Sequence, residues 1–477
     1  MYKINCNEIK NKYDLEELVK MFLKPTDYIL FNNDTLSNEM EEGKAERNEV
    51  SSVTEIRIPS SITDKNEAKR YLFERLSADT QTRPDWGILT GVRPGKLVRE
   101  YLKKGKDLKE IQTLFKKFYY VSDEKIDLLM ELYENQKHIL SNCEKKDVGI
   151  YIGIPFCPTR CIYCSFTSNQ ASDEKIEQYL NSLLREIMYV GKRMKETGIY
   201  AESIYIGGGT PTTLSVALLE KLLSVVSTHF DLSHLKEYTV EAGRPDTITR
   251  EKLQIIFDFN VDRISINPQS MKARTLELIG RSHSPEQISD AFCMAKSIGI
   301  KHINADLIAG LPEEDPKDFE NSLRKIIALE PQNITVHTLA VKRASRLIDL
   351  HADYHYHQGE QVRNMLAISK QLMKENGYIP YYMYRQKHMA GNFENIGYAK
   401  PKTESIYNIR IMEENQTILA LGAGGISKVY FPAENRLERV PNVSNYEIYI
   451  ERLDEMLSRK EKGIFIPLAT EKNGGIR

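Results

Sequence analysis

The sequence predicts an α/β chain centred on an incomplete (β/α)6 barrel, with an α/β domain before it and a smaller α+β region after it. Three observations lead there. From about Tyr151, six short apolar β-type runs alternate with amphipathic helical stretches, the pattern of a parallel sheet with right-handed crossovers. The residues able to do chemistry (cysteines, glycines, Glu241, Gln269, Asp306) fall at the C-terminal ends of those runs, the edge that carries the site in a (β/α) barrel. Six units, two short of a closed barrel, leave one side open for a large substrate.

Each element has its own signal. Val148 to Pro155 reads as the first strand, followed by a long helix with Ile176, Leu180, Leu183, Leu184 and Ile187 on one face and Ser172 as its N-cap. Strands follow at Ser203 to Ile206, Glu237 to Glu241, Arg263 to Ile266, His302 to Ile308 and Asn333 to Leu339. Helices fall between them near Ser215 to Phe230, Pro285 to Ile298 and Asp318 to Leu329. A chain of 477 residues exceeds what one hydrophobic core supports. We place the domain limits at 1–145, 146–345 and 346–477. The first part ends in helical, charged sequence from Asp107 to Leu140; the last holds a helix near Glu360 to Glu375, an aromatic segment and a glycine-rich stretch from Leu421 to Lys428.

Composition excludes some functions. A hydrophobic fraction of 41% and a net charge of -1 describe an ordinary globular chain and do not favour nucleic acid as a partner. No run approaches the ~20 apolar residues of a membrane span, and the N-terminus lacks the apolar stretch of a signal peptide, so a cytoplasmic location is expected. Of the six cysteines, three lie within eight positions, which suggests a metal site and not a disulfide framework. Cys6, Cys143 and Cys293 are scattered and read as ordinary thiols.

The cluster Cys157-Pro158-Thr159-Arg160-Cys161-Ile162-Tyr163-Cys164 follows a strand, so three thiolates sit on one loop. Thiolates suit iron–sulfur clusters or zinc; a structural zinc site wants a fourth Cys or His at comparable spacing, and none lies nearby in sequence. Three ligands on a four-iron cluster leave one iron open. Gly207-Gly208-Gly209-Thr210 ends the second strand, where glycines permit close backbone approach to a small polar ligand, or simply a tight turn. Glu241 and Asp306 are acids at strand ends amid apolar residues, each in need of hydrogen-bond partners.

The cysteine motif, with an aromatic residue just before its last cysteine, resembles the signature of the radical S-adenosylmethionine (SAM) superfamily. The resemblance implies a [4Fe-4S] cluster on Cys157, Cys161 and Cys164, one or two SAM molecules, a 5′-deoxyadenosyl radical that abstracts hydrogen, and a flavodoxin- or ferredoxin-like electron donor. Tyr151 to Cys157, Gly207 to Thr212, Arg263 to Ser270, Ile279-Gly280-Arg281 and Asp306 to Pro312 occur in the order found in the oxygen-independent coproporphyrinogen III dehydrogenase group. The N-terminal extension bearing Gly91 to Lys96 is similar to that of its HemZ-like branch. By that resemblance Tyr151, Gly208 and Glu241 contact SAM next to the cluster, and Tyr163, Gly209, Thr210, Gln269, Arg281, Asp306 and Ala340 complete the SAM surface. The implied substrate is a tetrapyrrole, coproporphyrinogen III, two of whose propionates become vinyl groups. One departure stands out: the oxidase branch carries a further cysteine two residues after the motif, whereas this chain has Phe166, as the haem-chaperone branch has an aromatic residue there. A haem chaperone, or a radical enzyme acting on another tetrapyrrole, is the alternative.

Three further features carry weaker signals. Gly91 to Lys96 fails the phosphate-loop pattern, because the glycine spacing is short by one and Leu97 stands where Ser or Thr is needed; with Arg83 and Arg99 it offers cations to propionates or a partner, or a solvated face. His351, His355 and His357 do not share one helical face and read as surface histidines. Tyr378, Tyr381, Tyr382 and Tyr384, followed by Arg385 and Lys387, suit a flat polycarboxylate, or a strand of packed tyrosines.

Overall fold

The structure, a computed structural model, describes residues 1–6, 9, 12–32, 53–91, 93–142, 144, 146–164, 168–340, 359–385 and 393–473. Phe166, Cys143, Lys387 and the three histidines at 351, 355 and 357 lie outside the described residues. The chain divides into two compact units, Met1–Tyr133 and Glu134–Arg477.

The first unit is α/β. Strands β1 (Tyr2–Asn5), β2 (Tyr28–Phe31) and β3 (Thr54–Arg57) form a parallel sheet in the order β2-β1-β3. Helices α1 (Lys12–Val19) and α2 (Lys65–Thr80) contribute Leu15, Leu18, Leu72, Phe73 and Leu76 to a core with Ile4 and Ile56. Asp64 caps α2 by accepting from the Asn66 and Glu67 amides, which satisfies two of its orphan donors. Helix α3 (Pro94–Lys103) starts with proline at its first position, where no donor is missed. Helix α4 (Leu108–Lys117) has an Asp107–Glu110 capping box. The charged stretch to residue 140 is therefore two helices, α4 and α5 (Asp123–Ser141).

The second unit is built on an eleven-stranded sheet. Its centre is the expected partial barrel. Strands β4 (Asp147–Ile154), β5 (Tyr200–Gly208), β6 (Glu237–Gly243), β7 (Arg263–Ile266), β8 (His302–Ala309) and β9 (Asn333–Thr338) lie side by side in sequence order, all parallel. Helices α6 (Asp173–Thr197), α7 (Val216–His229), α8 (Arg250–Asp258), α9 (Ala273–Leu278), α10 (Pro285–Ile298) and α11 (Pro316–Ala328) make the crossovers. Ser172 caps α6 as expected, accepting from the Lys175 amide, and Gly198 ends it in the left-handed conformation.

The strands alternate with period two. Ile150, Ile152, Ile204, Ile206, Val240, Ile264, Ile266, Ala305, Leu307, Ile334 and Val336 are fully buried. The residues between them, such as Tyr151, Tyr205, Glu241, Asp306 and His337, line a cavity.

Residues after 345 enlarge this sheet at both edges. Helix α12 (Gly359–Glu375) is followed by β10 (Ile379–Arg385) and β11 (Glu394–Ala399); β11 runs antiparallel to β9, and β10 to β11. At the opposite edge β12 (Ile418–Leu421) pairs in parallel with β4, Ile418 opposite Gly149, and β13 (Ile426–Phe431) and β14 (Arg436–Pro441) continue antiparallel. Helix α13 (Ile406–Glu413) is pinned by buried polar contacts. Glu237 accepts from Ser405 Oγ at 2.7 Å and the Ile406 amide at 2.8 Å, and the buried Arg410 binds Glu202 through Nε (2.9 Å) and Nη2 (3.1 Å). Helices α14 (Tyr446–Glu451), α15 (Leu453–Lys460) and α16 (Ile466–Asn473) end the chain. No described helix is long and apolar enough to cross a membrane.

Candidate active site

All thirteen residues expected at the site line one cavity of about 440 Å³ at the C-terminal ends of the barrel strands. They are Cys157, Cys161 and Cys164 with Tyr151, Tyr163, Gly208, Gly209, Thr210, Glu241, Gln269, Arg281, Asp306 and Ala340. That volume is within the usual range for small-molecule sites, about 300–1,000 Å³.

The cysteine loop is held at several points. The Cys157 amide donates to Asn169 O (3.0 Å), the Ile162 amide to Ile279 O (3.2 Å), and Gln170 Nε2 to Pro158 O (2.7 Å). Arg244, at the end of β6, clamps the loop from beneath. Its Nη1 donates to Thr159 Oγ1 at 2.6 Å and Thr159 O at 3.2 Å, while Nε and Nη2 form a fork on Asp246 at 3.0 and 2.8 Å. Burial opposes ionisation of Asp246, but this fork outweighs it and holds the carboxyl below its usual range.

Gly208 and Gly209 are required by geometry. Gly208 has φ +115°, a backbone that side chains rarely adopt. A Cβ on Gly209 would come within 2.5 Å of Phe156 O and 3.0 Å of Cys157 Sγ. The strand end thus lies against the cysteine loop at a distance only glycine permits.

The residues fit the cofactors that the cysteine motif implies. The three thiols share one loop and line one cavity. Three soft thiolates suit a multi-iron centre. Beside it, Gln269 Oε1, Asn267 Oδ1 and Arg281 Nε are buried without a hydrogen-bond partner among the described residues. Such atoms each cost about 1–3 kcal/mol unless a ligand satisfies them. Gln269 also sits at φ +68°, strained for a residue with a side chain, and is fixed there by bonds from its amide to Asp306 O (2.9 Å) and to its carbonyl from the Ile308 amide (3.0 Å).

The two acids differ. Glu241 accepts from Tyr205 Oη and, at 3.2 Å, from the Gly208 amide; burial, reinforced by the charge of Asp306, nevertheless pushes it up to about 7. Burial acts on Asp306 in the same direction, but His337, Asn304 and Thr335 outweigh it and hold its carboxyl below the usual range. Arg281 donates to Tyr163 Oη at 2.8 Å and to Asn267 O at 3.0 Å.

The sequence reading missed several lining residues. Tyr407 of α13 stacks on Tyr205 with ring centroids 4.6 Å apart, and Tyr205 stacks on Tyr151 at 6.3 Å. His337, Asn267 and Arg244 were also missed. Tyr381, Tyr382 and Tyr384 do line the cavity, whereas Tyr378 donates to Pro331 O and lies under Lys400, away from it.

A parallel partial barrel with a three-cysteine loop over its C-terminal edge and a cradle for a small polar ligand beside it defines a radical SAM protein. The family described as the radical SAM superfamily matches residues 151–326. The chain belongs to that superfamily, in the HemZ-like branch of the oxygen-independent coproporphyrinogen-III oxidase group. It is 40% identical over 403 residues to the oxygen-independent coproporphyrinogen-III oxidase-like protein HemZ of Bacillus subtilis (strain 168), covering 83% of this chain and 80% of that one. It is 31% identical over 277 residues to the heme chaperone HemW of the same organism, covering 57% of this chain and 69% of the relative. The structure of coproporphyrinogen III oxidase (HemN) from Escherichia coli shares the fold, with a TM-score of 0.54 and 22% identity over 67% of this chain and 72% of that chain.

Proposed function

We propose that Cys157, Cys161 and Cys164 hold a [4Fe-4S] cluster, that SAM binds beside it, and that the protein oxidatively decarboxylates two propionates of coproporphyrinogen III to vinyl groups, giving protoporphyrinogen IX. The observation that carries this reading is the convergence, in one cavity, of three thiols, unpaired buried polar atoms and a wall of tyrosines. When bound, the cluster and SAM supply a hydrogen-abstracting radical. The chain's own groups bind and orient. Glu241 accepts from an ammonium, and Arg281 presents its unpaired Nε to a carboxylate. Gln269 and Asp306 accept from ribose hydroxyls, Tyr163 offers a ring face to adenine, and Tyr151, Gly208, Gly209, Thr210 and Ala340 shape the cradle. Tyr381, Tyr382, Tyr384 and Tyr407 give a flat tetrapyrrole an aromatic surface. Each propionate would give one hydrogen atom to the 5′-deoxyadenosyl radical, release carbon dioxide and pass one electron to an external one-electron acceptor; a flavodoxin- or ferredoxin-like donor would reduce the cluster.

Anaerobic incubation of the reconstituted protein with SAM, dithionite and coproporphyrinogen III tests this. Vinyl product and 5′-deoxyadenosine are expected together. 5′-Deoxyadenosine without vinyl product sinks the substrate assignment. Cys161→Ala should lose the cluster's visible absorbance; retained absorbance refutes the ligand set. The second reading is a haem chaperone, favoured by Phe166 and by the similarity to HemW. Stable haem binding without SAM turnover would select it.

A further inference from the structure

His337 lies beside Asp306 on the neighbouring strand and has no role in the reading above. It points inward from β9, opposite Ile308 in register, and lines the cavity. Its Nε2 lies 3.6 Å from Asp306 Oδ2, and its Nδ1 lies 3.3 Å from Tyr384 Oη. It is one of the groups that hold the Asp306 carboxyl below its usual range against the effect of burial.

The other cavity cations are engaged elsewhere. Arg244 is forked on Asp246, Arg263 donates to Thr403 O at 2.9 Å and lies 3.6 Å from Glu237, and Arg281 donates to Tyr163. Asp306 itself accepts from Asn304 Nδ2 at 2.8 Å. Among the described cavity residues, then, His337 is the ring donor that faces Asp306. The chemistry of the three groups also fixes the ring. A carboxylate only accepts, so the neutral imidazole keeps its proton on Nε2, facing Asp306, and its Nδ1 accepts from the Tyr384 hydroxyl.

We propose that His337 is a positioning residue for adenosyl recognition: with Tyr384 behind it, it holds the Asp306 side chain turned so that the carboxylate accepts from the ribose hydroxyls of SAM. This rests on reading the cavity as a SAM site.

The test is equilibrium binding to the reconstituted full-length protein, read by calorimetry. The ligands are SAM and an analogue lacking both ribose hydroxyls; cluster absorbance and melting temperature are recorded alongside. His337→Phe keeps the ring volume but removes the donor, and should weaken SAM binding by about tenfold to thirtyfold, the cost of leaving the Asp306 carboxylate without its polar neighbour. His337→Gln, whose amide N–H reaches where Nε2 stood, should stay within about threefold of wild type. The dihydroxy-lacking analogue should bind wild type and His337→Phe alike. If His337→Phe fails to fold, His337→Asn, whose shorter amide cannot reach Asp306, takes its place with the same expectation. Unchanged SAM affinity in the donor-lacking variant, or an equal loss for the analogue, overturns the proposal. Failure of the wild-type protein to bind SAM overturns the SAM reading itself, and this proposal with it.

Discussion

Replacing Arg244 by Met removes the clamp beneath the cysteine loop. Arg244 is 3% exposed and gives two hydrogen bonds to Asp246, two to Thr159 and one, at 2.8 Å, to Ser282. Breaking a buried ion pair from one side costs about 3–5 kcal/mol, because the surviving charge is left without compensation. Here Asp246 retains Ser282 Oγ at 3.0 Å and its side chain is 19% exposed, which places the loss at the lower end, about 3 kcal/mol. For a unit of this size that is a fall of about 5 °C in the melting midpoint. The sign with pH follows from Asp246. Its folded pKa is depressed, so the pair's contribution is present above the unfolded value near 3.8 and is lost as pH falls through the folded one. The wild type and Arg244→Met should therefore converge in stability in acid. Arg244→Lys should fail to restore the loss, since an ammonium cannot make the fork. Arg244→Met with Asp246→Asn should recover part of it by removing the stranded charge. Because Thr159 lies between Cys157 and Cys161, the single variant should also carry less cluster per chain and lose it faster to a chelator. Thermal scans and cluster absorbance measure both effects. A midpoint within about 1 °C of wild type with equal cluster retention would refute the clamp.

Glu241, raised to about 7, gives a second handle. The unfolded chain ionises this group first, so its burial costs stability increasingly as pH rises from about 4.5 to about 7, by at most about 3 kcal/mol. Glu241→Gln should flatten that part of the stability–pH curve, and an unchanged slope would count against the shift. If the SAM ammonium settles on Glu241, binding at pH 6.5 should release a fraction of a proton, read by calorimetry in buffers of different ionisation enthalpy. Gly209→Ala puts a methyl 2.5 Å from Phe156 O and 3.0 Å from Cys157 Sγ, and should lower cluster content sharply while sparing the first unit. Lys460 is buried against Glu186 at 3.1 Å, and Glu186 also accepts from the Gly422 amide (2.7 Å) and Tyr449 Oη (2.6 Å). Lys460→Met should cost about 3 kcal/mol in denaturant unfolding, and pairing it with Glu186→Gln should return part of that.

How much of this was legible in the sequence depends on how local each signal is. The barrel strands were readable because each is an apolar run ending at glycine, proline or a polar residue, followed by a capped helix. Strand β12 was not: Ile418–Leu421 is four residues long, and only its pairing with Gly149 to Ile152, far away in sequence, makes it a strand of the barrel sheet. Arg244 was invisible for a related reason, since its partners Thr159, Asp246 and Ser282 come from three loops that only the fold brings together. Tyr407 enters the cavity because Glu237 fixes the start of its helix, a contact that nothing in Ser405-Ile406-Tyr407 announces. His337 is different. Parallel strands covered on both faces should be apolar throughout, yet Thr239 and Glu241, Ser265 and Asn267, Asn304 and Asp306, and Thr335 and His337 place polar groups at every second position of four successive strands. Burying such a row against hydrocarbon would cost several kcal/mol per strand, so the row must face a cavity whose occupant answers it. The same alternation that hid His337 among the apolar residues of β9 therefore assigns it to the inner face with Asp306. Both residues line the cavity, so a substitution at either should be felt in binding before it is felt in folding.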